Sequence, residues 1–83
     1  MNQPVWLTGN KVKISLDARS LLAQGLHPFE QVQQECAAMK QDEIFEIITP
    51  FSPVPMIDKM SAAGFETHSE SGEDGMVHTF FKK

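Results

Sequence analysis

His27 and Pro28 stand where the first long helix is predicted to begin, a position suited to chemistry in this 83-residue chain. The positive end of a helix macrodipole disfavours the imidazolium form. A neutral ring offers one donor and one acceptor, able to bind a metal or polarise a ligand. Glu30, one turn later, pulls the other way and is a candidate partner for the ring. The plainer reading is that His27 ends a loop, its ring packed on Pro28 or bonded to nearby backbone. Asp17 and Arg19 follow the first predicted strand, either as an ion pair that orders the loop beside His27 or as ligand contacts. The ordering role is favoured, because Asp commonly bonds its own downstream backbone in turns. His68 and His78 fall on the last two predicted strands. With a hairpin loop from Ser71 to Gly75, Glu70 pairs with Met76 and His68 stands opposite His78. Cβ atoms so placed lie about 5 Å apart, near enough to share a metal ion. Two ligands without a third do not make a metal site.

Thr49 to Pro55 carries Phe51 among three prolines. Prolines pre-order a loop and reduce the entropy lost on binding. An aromatic on such a loop suits a contact surface; folding inward to cap the core is the equal alternative. Anion binding at a helix start is disfavoured at both long helices. Glu30 already occupies the first turn of one, and Pro53 and Pro55 remove two donors from the other. Cys36 shares a helical face with Phe29, Val32 and Met39, and a thiol in apolar surroundings is unreactive.

Composition narrows the function classes. A net charge of −4, with seven scattered basic residues, argues against nucleic acid, whose phosphates call for clustered Lys and Arg. A single cysteine excludes an internal disulfide and a cysteine-based zinc site. No apolar run reaches membrane-spanning length and no signal-peptide pattern opens the chain, which points to the cytoplasm.

The elements that must position these residues follow from periodicity. Residues 1–10 read as a leader tacked down by Trp6, and 11–83 as a single domain. Val12, Ile14 and Leu16 alternate with Lys11, Lys13 and Ser15, the signature of a strand with one buried face. Asp17 to Leu26 is predicted as a loop. Phe29, Val32, Cys36 and Met39 recur at helical spacing, with Pro28 at the first helical position. Ile44 to Ile48 is apolar enough for a central strand. Ser52 and Pro53 open a second helix with Met56, Ile57, Met60 and Ala63 on its buried stripe, and Gly64 closes it. Phe65–Glu70 and Met76–Phe81 form a terminal hairpin. The expected fold is an α+β two-layer sandwich in the order β-α-β-α-β-β, a four-stranded mixed sheet with two helices on one face.

That order resembles the TusA-like fold, with Leu16-Asp17 after the first strand, X-Pro at the first helix start, Gly64-Phe65 and the terminal Phe-Lys-Lys. Leu16-Asp17-Ala18-Arg19, His27-Pro28-Phe29-Glu30 and Pro50-Phe51-Ser52-Pro53-Val54-Pro55-Met56 resemble more closely a branch catalogued as domain of unknown function 2249. The resemblance runs from about Lys13 to the C-terminus. It implies the fold and little about activity. The TusA-like sulfur carriers place a persulfide cysteine immediately before the helix proline, where this chain has His27, so the nucleophile of that chemistry is absent there. The resulting expectation is a small non-enzymatic binding module, without a cofactor, whose partner is another protein or a small ligand. Its working surface comprises His27, Pro28, Glu30, Asp17, Arg19 and Phe51. The alternatives are a sulfur-transfer or redox accessory protein and a histidine metal-binding protein using His27, His68 or His78.

Overall fold

Apolar alternation and helical spacing produce strands and helices close to those expected, in a computed structural model that describes residues 5–8, 12–26 and 28–83. The elements in order are α1 (Val5–Thr8), β1 (Val12–Asp17), α2 (Arg19–Ala23), α3 (Phe29–Ala38), β2 (Ile44–Thr49), α4 (Val54–Ala62), β3 (Glu66–Ser71) and β4 (Val77–Lys82). The sheet order is β1-β2-β4-β3. β1 and β2 are parallel, while β4 runs antiparallel to both its neighbours, β2 and β3. The four-stranded mixed α+β sandwich is thus present.

β2 is the strand most fully buried, as its apolar run requires, with Ile44, Phe45 and Ile47 inaccessible to solvent. Its alternate residues serve two faces. Phe45 and Ile47, with Phe81 of β4, pack against Val32 and Cys36 of α3 and Met56 and Met60 of α4. Ile44 and Phe80 meet Leu7 of α1 on the opposite face, with Trp6 packed alongside. The expected tacking by Trp6 therefore occurs, through a short helix inside the segment read as a leader. Asp42, at φ 71°, turns the chain into β2.

Two further expectations need correction. Asp17–Leu26 is not a loop throughout, since Arg19–Ala23 forms one helical turn. Ser52 does not cap α4 through its side chain; Pro53 occupies the cap position, and the Ser52 carbonyl accepts from Val54 N–H at 3.0 Å.

The hairpin register also differs. Gly75 N–H donates to the Gly72 carbonyl and Gly72 N–H to the Met76 carbonyl, leaving the three-residue loop Glu73-Asp74-Gly75 with Gly75 at φ 78°. A type I turn followed by a left-handed residue is a common hairpin closure, and glycine adopts that conformation without a Cβ clash. The shorter loop pairs Ser71 with Val77, Glu70 with His78, and His68 with Phe80. His68 and His78 are therefore not opposite each other. Among the described residues, no helix is long and apolar enough to cross a membrane.

Candidate functional site

β1 and β2 are parallel and each is followed by a helix that returns along the sheet. The starts of α3 and α4 are thereby gathered at the carboxyl ends of these strands, the edge where open α/β sheets place ligands. A cleft of ≈ 350 Å³ lies there. Pro28 and Phe29 from the start of α3 and Leu22 from α2 line one part of it. Phe51 and Pro53 from the β2–α4 loop line another, with Thr49 at the end of β2. α4 contributes Pro55, Met56 and Lys59.

The loop that carries Phe51 is ordered from two sides. Pro50 and Pro53 flank it in sequence, and the hydroxyl of buried Thr49 donates to the Phe51 carbonyl. Phe51 does not fold into the core: its side chain stays 53 % exposed while lining the cleft. Lys59 reaches over the Phe29 ring, its ammonium 4.8 Å from the ring centroid. A cation so placed is attracted by the ring quadrupole.

The residues expected at one working surface are divided between two places. Pro28 and Phe51 line the cleft, whereas Glu30 is exposed in the first turn of α3 and does not. His27 lies outside the described residues. Asp17 and Arg19 belong to a polar network on the sheet face away from α3 and α4. There the Asp17 carboxylate accepts from Arg19 Nε at 2.9 Å and from its backbone N–H at 3.0 Å. The backbone bond ties Asp17 to the first residue of α2, and the two bonds hold the Asp17 carboxyl below its ordinary value, the side-chain bond from Arg19 contributing most.

Ser15 Oγ donates to Glu46 Oε1 at 2.9 Å, and Glu46 Oε2 lies 2.7 Å from His78 Nδ1. His78 Nε2 is 3.2 Å from both oxygens of Asp74. Chiefly through Glu46, and then through Asp74, the His78 pKa is raised despite opposition from burial. Asp74 is in turn lowered, first by the Met76 N–H at 2.9 Å. The serine donates to the carboxylate rather than to the ring, so no serine–histidine nucleophile pair is formed. The network holds the imidazole between two carboxylates, an arrangement that favours its protonated form.

His68 stacks on Phe80, with ring centroids 6.3 Å apart. Its Nε2 is buried without a hydrogen bond and lies 3.6 Å from Glu70 Oε1. Among the described residues, no group of three or more His, Cys, Asp and Glu is arranged to hold a metal ion. Cys36 is inaccessible, and burial pushes its thiol up to about 12.

Sequence reasoning missed Leu22, Met56 and Lys59 as cleft residues, and took Thr49 only as the start of the Phe51 loop. Lys59 had a readable signal: it follows Met56 by three and Pro55 by four positions, so it shares their helical face. No protein family, curated protein or solved structure matches the chain.

Proposed function

We propose that this chain is a non-enzymatic binding module of TusA-like kind, acting in the cytoplasm on a small ligand or on a protein that offers an apolar group. The observation that carries the reading is the cleft between the starts of α3 and α4, with exposed Phe51 held at its rim. Mostly apolar walls with a few placed polar groups are the general character of ligand sites. Of the polar groups at the cleft, the Thr49 hydroxyl is spent on the Phe51 carbonyl, while the Lys59 ammonium lies over the Phe29 ring. The net charge of −4 supports a partner other than nucleic acid. The sulfur-transfer alternative draws no support from Cys36, whose inaccessible thiol is held protonated.

Titration of 15N-labelled protein with neutral apolar probes, indole and cyclohexanol, tests the reading. Amide shifts centred on Leu22, Phe29, Phe51 and Met56 are expected, and Phe51→Ala should weaken them at least threefold. Shifts centred on the Glu46–His78 face, or no saturable shifts, would overturn it.

A further inference from the structure

Resting on the cleft as a binding site, we infer that its ligand is a small monocarboxylate with an apolar body, the carboxylate held at Lys59 and the body packed against Phe29 and Phe51. Size comes first. At ≈ 350 Å³ the cleft lies near the lower end of the range for small-molecule sites, about 300–1,000 Å³. That space suits a single ring with a short chain rather than a length of folded polypeptide.

Charge comes next. Among the described residues, Lys59 is the one charged side chain lining the cleft, and no carboxylate joins its wall. The other cations near carboxylates are committed: Lys13 to Glu43, Arg19 to Asp17 and Lys82 to Asp42. Among the described residues no carboxylate pairs with Lys59, whose ammonium is steadied over Phe29 beside the space a ligand would fill. A preorganised cation next to apolar walls favours a ligand with one negative end and one greasy end. The acidity of the whole chain makes this local inversion of sign selective.

The charge number follows from the helix starts. The first helical turns of α3 and α4 face the same edge, which favours negative charge there. Pro53 and Pro55 have no N–H to donate, and Glu30 already occupies the first turn of α3. One ammonium with a weakened set of backbone donors matches a single carboxylate charge; a phosphate dianion would lack partners for its remaining oxygens.

The test compares 3-phenylpropanoate with its neutral amide, 3-phenylpropanamide, by amide shift titration of the full chain and of Lys59→Met. In the wild type the carboxylate should bind about fivefold more tightly than the amide, the scale of one partly exposed ion pair. Lys59→Met should abolish that preference, read as the ratio of acid to amide affinity within each protein, because the methionine keeps the apolar stem beside Phe29 and removes only the charge. The preference should also shrink as salt is raised from 20 to 300 mM. Equal affinities for acid and amide, or a preference that survives Lys59→Met, would overturn the carboxylate assignment and leave cleft binding standing. No saturable shift at Phe29 or Phe51 with either probe would overturn both.

Discussion

A histidine held between two carboxylates makes its own surroundings unusually intolerant of change, and Gly72 is where that is felt. A Cβ placed on Gly72 would stand 2.5 Å from His78 Nε2 and 2.7 Å from Asp74 Oδ1. The ring has little freedom to yield, because Glu46 grips Nδ1 at 2.7 Å while Asp74 faces Nε2. Gly72→Ala must therefore push the ring off one carboxylate or distort the turn. The expected cost is about 1–3 kcal/mol, as for other overpacked sites. His78 should also titrate closer to its ordinary value of 6.5, because it loses Asp74 or Glu46 as a bond partner. A thermal melt and an NMR titration of the His78 ring protons read the two effects together. A stable variant with an unmoved His78 titration would show that the ring and the glycine do not compete for this space.

At the level of elements, the cleft depends on how the β2–α4 loop is tied to the end of β2. Thr49 faces the core, is 1 % exposed, and spends its hydroxyl on the Phe51 carbonyl two residues later. Thr49→Val keeps the shape and removes that donor, at an expected cost of about 1 kcal/mol. Faster amide exchange at residues 51–54 and weaker binding of cleft probes should accompany it. Unchanged exchange and unchanged affinity would mean that the prolines alone hold Phe51 in place. The same elements show what the sequence made legible. β2 and α3 were readable because burial imposes one period along each: the apolar run Ile44–Ile48, and Phe29, Val32, Cys36 and Met39 at helical spacing. α2 was not readable, since five residues carry no period. It is held by its ends, with Asp17 bonding the Arg19 N–H and Gly25, at φ 77°, turning the chain so that Gly25 and Leu26 N–H reach the Leu22 and Leu21 carbonyls. The hairpin register failed for a related reason. Two residues of loop length decide which strand positions face each other, and only the turn itself, through Gly75, determines that length. For the site, Pro28 was legible as the residue that opens a helix and Phe51 as a proline-flanked loop residue, whereas Lys59 stood only among the scattered basic residues.

For the whole molecule, these local pKa shifts combine into a pH profile of stability with opposing limbs. Asp17, Asp74 and Glu43 are lowered from 3.8, 3.8 and 4.5, so their contributions are present above those values and are lost as pH falls through the folded ones. His78 is raised from 6.5, so its contribution is complete below that value and is lost as pH rises through the folded one. All four groups sit at the surface or near it, where screening keeps each effect small. Cys36 differs because it is inaccessible. Its thiol titrates near 9.0 in the unfolded chain and is held protonated to about 12 in the folded one. Raised folded values mean stability that is intact below about 9 and declines from there to about 12, at about 1.4 kcal/mol per pH unit while only the unfolded chain releases the proton. At pH 10.5 the loss amounts to about 2 kcal/mol, a sizeable share of the 5–10 kcal/mol usual for so small a domain. Stability should therefore be greatest between about pH 5 and 6.5 and should fall most steeply on the alkaline side. Urea unfolding of the wild type and Cys36→Ala at pH 8.0 and 10.5, with a reductant present, isolates the thiol. The variant begins less stable because a small cavity replaces the sulfur, yet its further loss between the two pH values should be smaller than the wild type's by about 2 kcal/mol. Equal alkaline losses in the two proteins would place the Cys36 thiol in contact with water and return it to consideration as a reactive group.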